Sequence, residues 1–181
     1  KIFIFMTLLS VGPSLILTTT CFTRIVIVLS FLRQAIGVHQ SPPNQVVVGL
    51  ALFLTFYVMS PVIKQIQENS ITPLMQDKMD YQTAFEEEKM PLKKFMFSQT
   101  KIQDLNMMLD ISKQPRPKNM SELNLNVLIP SFILSEMRTA FEISFLIYLP
   151  FVLVDMIISM VLLAMGMMMV PPMIMSLPFK L

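Results

Sequence analysis

Four ionisable side chains stand where a mostly apolar chain can least accommodate them. Glu136, Arg138 and Glu142 interrupt one long apolar run, and Asp155 interrupts the next. On insertion scales each charge at mid-bilayer costs about 2.5–3.5 kcal/mol. These groups therefore need partners, a task, or surroundings other than lipid. Arg138 and Glu142 are four residues apart and share one helix face, so they can pair with each other. Glu136 is two residues from Arg138, points elsewhere, and requires a partner on another helix or another subunit. Three readings are open. The charges glue helices together; they line an ion or proton path; or the hairpin that carries them packs inside a protein assembly and never meets lipid. A proton relay needs acids reaching both membrane faces. Four groups confined to one hairpin do not supply that, so helix and subunit packing is the favoured reading.

Other reactive material is sparse. Cys21 is the one cysteine and His39 the one histidine. A lone cysteine flanked by Thr18, Thr19, Thr20 and Phe22 reads as an inert, buried small residue. Without clustered ligands or a nucleophile–base pair there is no expected metal site, cofactor or catalytic residue. The chain is expected not to be an enzyme.

A second feature is Met165-Gly166-Met167-Met168-Met169-Val170-Pro171-Pro172. Methionine is flexible and polarizable, and it fills irregular gaps. Ordinary core filling is the usual use of such a run. Here Gly166 permits a break and Pro171 and Pro172 oppose helix continuation. The expected product is an apolar, deformable loop between helices. At the axis of a ring, such a loop would act as a seal that yields to a passing chain.

These residues must be positioned by helices. Hydrophobic residues make up 54% of the 181 and charged ones only 14%, against roughly a quarter in a soluble domain. Such a chain needs lipid, partner subunits or both. A net charge of +2 without a basic patch argues against nucleic acid. The run from Ile2 to Leu32 has Arg24 as its one charge and exceeds the about 20 residues that span a bilayer core. Gly12 and Pro13 interrupt it. A signal-peptide core is disfavoured, because the run is too long and has no small-residue cleavage site. The chain starts at Lys1 without an initiating Met, so its natural start is expected upstream, together with any signal peptide removed from it. Pro42 and Pro43 end the first helix, and Val46–Ile63 forms a marginal second span. Residues 64–126 carry nine basic and nine acidic residues and read as a polar segment with amphipathic helix over Met90–Leu109. Glu86, Glu87 and Glu88 favour a helix start just before it. Val127–Leu149 and Phe151–Val170 are two further apolar runs separated by Pro150. The expected fold is all-α. Membrane-associated, kinked helices form an apolar hairpin over 1–63, a helical polar segment over 64–126, and a second apolar hairpin with the Met-rich loop over 127–181.

Three stretches together resemble the FliP family of type III secretion export proteins. PSFILSEMRTAFEISFLIYLP, Pro130 to Pro150, is similar to one family signature. PFVLVDMIISMVLLAMGMMMVPP, Pro150 to Pro172, is similar to a second. FTRIVIVLSFLRQAIGVHQSPPNQVVVGLALFLTFYVMSPV, Phe22 to Val62, resembles the family's N-terminal part. Thr23-Arg24-Ile25-Val26, Gln45 after Pro42-Pro43-Asn44, and Val170-Pro171-Pro172 look more like the flagellar branch than the injectisome branch. Ser131, Met137, Arg138 and Glu142 depart from the commonest family pattern, and Glu142 adds an acid to an apolar helix.

The resemblance implies a pore-forming subunit of the flagellar protein export gate in the bacterial inner membrane, within the flagellar basal body. Family members form a homopentamer that joins FliQ and FliR in a cone-like helical complex, with FlhB and FlhA as neighbours. Unfolded export substrates pass through its centre. Met167, Met168 and Met169 would be the pore gasket, with Gly166, Pro171 and Pro172 as its hinges. The family fold raises much of the apolar sequence out of the membrane plane, which favours the third reading of the buried charges. The polar segment is expected on the periplasmic side, and a further apolar stretch is expected after Leu181.

Overall fold

The computed structural model describes residues 6, 10, 14, 17–38, 41–75, 81–117, 120–167 and 169–180, with backbone only for 71, 74–75, 81–88 and 121. The described residues are helical and contain no strand, in agreement with an all-α fold. Helix α1 is Phe22–Ile36, α2 is Asn44–Ile66, and one π-helical turn, Gln67–Ile71, leads into α3, Thr72–Met75. Then come α4, Tyr81–Gln99, and α5, Ile102–Ser112. A short 3-10 turn at Met120–Glu122 precedes α6, Leu125–Ala164, and α7 is Pro172–Lys180.

Several boundaries depart from the sequence expectation for stated reasons. Pro150 does not divide the C-terminal third. α6 runs unbroken for 40 residues through Pro130 and Pro150. A proline inside a helix removes one N–H and leaves one carbonyl unpaired. In apolar helices that loss is tolerated when the surrounding packing absorbs it. Pro61 is likewise inside α2, which continues beyond Ile63. α4 starts at Tyr81, so Glu86, Glu87 and Glu88 lie within it rather than ahead of it. The amphipathic stretch of 90–109 is two helices, because Thr100 and Lys101 turn the chain between Gln99 and Ile102. In the N-terminal run the described interruption is at Thr19–Cys21. Gly12, Pro13 and His39 lie outside the described residues.

Helix ends follow local chemistry. α1 stops at Gly37, whose φ of 89° is left-handed and whose N–H bonds the Gln34 carbonyl at 2.9 Å. Asn124 caps α6 by accepting the Asn126 N–H at 3.1 Å. Within the apolar helices, hydroxyls bond their own backbone one turn back. Thr55 reaches the Ala51 carbonyl, Ser131 reaches Val127, and Ser159 reaches Asp155.

α6 is the spine. α1 runs along it, and α4 and α5 pack on its first half. One core cluster joins Met96 and Leu123 to Leu128 and Phe132. Phe95 meets Phe132 edge-on at 6.0 Å, a favourable aromatic geometry. A second cluster joins Cys21 on the turn before α1 to Met59 and Val62 on α2. Cys21 is free and buried, as the sequence suggested.

The second half of α6 is different. Phe145, Leu146, Leu153, Ile157, Met160 and Leu163 are all exposed. On α2, Phe53, Phe56 and Tyr57 are exposed in the same way. By length and composition both helices could cross a membrane. At 1.5 Å per residue α6 is about 60 Å long, roughly twice the about 30 Å of a bilayer core. A crossing therefore needs only half of it. α1, with 15 residues, is shorter than the about 20 a span requires.

Candidate functional site: charged clasps and the Met-rich loop

All four charges singled out in the apolar runs have partners within the subunit, and every partner is on a different element. Glu136 is fully buried. Its carboxylate receives Arg24 of α1 at both oxygens, Nε to Oε2 at 2.9 Å and Nη2 to Oε1. The same Arg24 Nη2 donates to Gln99 Oε1 at 3.0 Å, which ties the end of α4 to the pair. A bidentate guanidinium–carboxylate contact is the strong form of an ion pair. The expectation that Glu136 needs a partner on another helix is met, and that partner is Arg24.

Arg138 and Glu142 do not pair with each other, which corrects the spacing argument. Both are drawn to the start of α5. Glu142 accepts from Lys101 Nζ at 2.7 and 2.8 Å. Arg138 Nη2 lies 2.8 Å from Asp104 Oδ1, an electrostatic contact off the hydrogen-bonding direction. Asp104 is fully buried, and its Oδ2 accepts from Ser135 Oγ at 2.7 Å. Ser135 Oγ in turn accepts the Lys101 backbone N–H at 2.8 Å. Tertiary partners outcompete the local pair because the α4–α5 turn delivers an unsatisfied N–H, an ammonium and a buried carboxylate to one face of α6.

Asp155 completes a separate clasp at the far end. It accepts from Ser176 Oγ at 2.5 Å and from Lys180 Nζ at 2.7 Å, both on α7. Lys180 Nζ also donates to the Ala35 carbonyl of α1 at 3.1 Å. Its side chain is 2% exposed.

Arg24, Gln99, Lys101, Asp104, Ser135, Ser176 and Lys180 were not singled out by the sequence. Arg24 alone carried a usable signal, as the one charge of its apolar run. A charge so placed should be paired with one of the opposite sign in another run.

Between α6 and α7 lies the Met-rich loop. Its first half is a Schellman close. The Gly166 N–H bonds the Leu163 carbonyl at 3.0 Å, the Met167 N–H bonds Leu162 at 2.9 Å, and Gly166 has φ 75°. Pro172 is the first residue of α7, where its missing N–H costs nothing and its fixed φ suits a helix start. The break expected from Gly166, Pro171 and Pro172 is therefore present. Met165 and Met167 are exposed and Met169 is 97% exposed. Met168 lies outside the described residues. No group of three or more His, Cys, Asp or Glu that could hold a metal occurs among the described residues.

Long apolar helices with open faces, internally paired charges and an exposed apolar loop define a membrane-associated, helical-hairpin protein. The FliP family model matches residues 5–181. The chain belongs to the FliP family. It is 43% identical over 181 residues to the flagellar biosynthetic protein FliP of Bacillus subtilis, covering all of this chain and 82% of that protein. It is 48% identical over 176 residues to that of Caulobacter vibrioides, covering 97% of this chain and 66% of the relative. The Buchnera aphidicola protein from Acyrthosiphon pisum is 46% identical over 178 residues, and the chain spans 47% of its length. The chain thus spans from about half to about four fifths of the length of these relatives.

Proposed function

We propose that this chain is the pore-forming core subunit of the flagellar type III protein export gate, and that it works as a passive conduit rather than as an enzyme. In this reading several copies, a pentamer by resemblance, assemble with FliQ and FliR in the inner membrane, beside FlhB and FlhA. Unfolded flagellar substrates pass through the centre. Met167, Met168 and Met169 form a gasket around the pore, hinged at Gly166, Pro171 and Pro172. The polar segment faces the periplasm.

The observation that carries the reading is the exposed Met-rich loop at the end of a 40-residue helix whose last half is open and apolar. A subunit with this much uncovered apolar surface requires lipid, neighbouring subunits or both. A loop of methionines can close against its own copies and still re-pack around a chain of varied sequence. Family membership supports the flagellar assignment over the injectisome one, since the relatives compared above are flagellar proteins. Ion or proton translocation is less favoured. Each acid among the four flagged charges is held by a cation of its own subunit, in two clusters rather than along a path.

The test is the mass of the complex after co-expression with candidate FliQ and FliR partners. A single heavy assembly holding several copies of this chain is the expected result. A monomer or dimer that ignores those partners overturns the proposal and directs attention to Glu136, Arg138, Glu142 and Asp155 as transport residues.

A further inference from the structure

We infer that Asp155, Ser176 and Lys180 form a clasp that anchors the α7 end of the Met-rich loop, so that the loop's resting position depends on an ion pair outside the loop. The inference deepens the gasket reading and rests on it for its effect on the pore.

The loop has two ends, fixed differently. Its start is closed by the backbone bonds of Gly166 and Met167 onto α6. Its other end is α7, which is nine residues long. Its position on α6 and α1 is marked by polar contacts of Ser176 and Lys180. One face of α7 is open. Met173, Ile174, Met175 and Phe179 are exposed. The space between α7 and α6 is an open apolar groove of about 590 Å³, lined by residues that include Val154, Ile157, Met165 and Phe179. Met173 and Leu177 face Gly37 of the turn after α1, where an added Cβ would meet them at 3.5 and 3.6 Å.

The polar contacts are specific by comparison. Ser176 and Lys180 are four residues apart and share a helix face. Both oxygens of Asp155 are used, one by each residue. The Lys180 ammonium is buried and has a second acceptor in Ala35 O, at the unsatisfied carbonyl end of α1. A buried ammonium that loses its carboxylate keeps one acceptor, Ala35 O, and favours positions of α7 that bring it to water. Asp155 is ten positions before Met165, about 15 Å along the helix axis. The clasp therefore acts on the loop as a remote tether. It needs neither contact with the methionines nor a change in the packing around Asp104 and Glu136.

The experiment compares wild type with Asp155→Asn and Ser176→Ala in the full-length protein, assembled with its partners. Backbone hydrogen exchange is followed for residues 165–176, with residues 101–104 as the internal reference, and passive ion conductance is recorded across a lipid bilayer. The expected result is exchange at least tenfold faster in 165–176 for Asp155→Asn, unchanged exchange at 101–104, and raised conductance. Ser176→Ala keeps the ion pair and gives a smaller shift in the same direction; it also serves should Asp155→Asn fail to assemble. Unchanged exchange in 165–176 in both variants overturns the clasp, as does a rise spread equally over 101–104. Faster exchange confined to 165–176 with conductance at the wild-type level supports the clasp and sinks the gasket reading instead.

Discussion

Arg24 and Glu136 meet across 112 positions of sequence, the guanidinium engaging both carboxylate oxygens. Glu136 is buried and Arg24 a quarter exposed. The pair fixes α1 on α6 at the level where Gln99 brings in the end of α4. It is the point at which the N-terminal hairpin, the polar segment and the C-terminal spine are tied together.

The two halves of that pair are not equivalent under mutation. Arg24→Ala leaves a buried carboxylate without its cation and is expected to cost on the order of 3–5 kcal/mol. Glu136→Gln leaves a neutral amide in the buried position and an arginine that can reach solvent, so the loss is smaller. Unfolding midpoints in mild detergent are expected to fall in the order wild type, Glu136→Gln, Arg24→Ala. The reverse order of the two variants would contradict the burial asymmetry.

Lys101–Glu142 is exposed at both ends, 36% and 56%, and such pairs contribute about 0–1 kcal/mol. Glu142→Gln should shift the midpoint hardly at all and leave export intact. Asp104→Ala is the contrast, since it strips the buried Ser135 Oγ of its acceptor and the half-exposed Arg138 of its counter-charge. It is expected to lose about 1–3 kcal/mol, the cost of leaving a buried hydroxyl without its charged partner. Motility assays read the first variant and thermal unfolding the second. Loss of swimming in Glu142→Gln, with normal assembly, would revive a proton-relay role.

Two glycines give a matched test of backbone conformation. At both Gly49 and Gly166 an added Cβ meets nothing within 4 Å. Gly49 is inside α2, so Gly49→Ala is expected to stabilise by about 0.5–1 kcal/mol. Gly166 is left-handed at φ 75°, so Gly166→Ala is expected to cost about 1–2 kcal/mol and to disturb the Schellman close. Opposite signs in the two melts are the expected outcome.

Replacing Met167, Met168 and Met169 together by alanine removes the apolar bulk of the loop and keeps its Gly and Pro boundaries. The assembled complex is expected to pass small ions in the absence of substrate, measured as bilayer conductance above that of wild type. Wild-type conductance in the triple variant would show that the seal lies elsewhere.

Cys21 is buried against Met59 and Val62 and should label slowly with a maleimide in the folded protein. Its rate should rise to that of a free thiol in denaturant. Fast labelling under native conditions would mean that α2 does not cover the turn before α1.

The local features were legible in the sequence because they depend on a few neighbouring residues. Gly166 followed by prolines announced a turn. Aliphatic runs announced helices, and a charge in such a run announced a partner. Boundaries set by proline alone were not legible. Pro150 and Pro61 each remove a single backbone hydrogen bond, and a helix packed on one side and apolar on the other can continue through that loss.

The sequence by itself determined an all-helical chain with too little polar surface to stand alone, a methionine loop at a defined break, and four charges that demanded satisfaction. The tertiary structure decided who satisfies them. Spacing along one helix offered Arg138 and Glu142 to each other, yet Lys101 and Asp104 arrive from another helix, with Ser135 linking them. Asp155 found Lys180, 25 residues on, and Glu136 found Arg24, 112 residues back. Spacing within a helix fixes only which side chains share a face. Which charges meet is decided by which faces are pressed together, and that follows from the packing of α1, α4, α5 and α7 on the spine of α6.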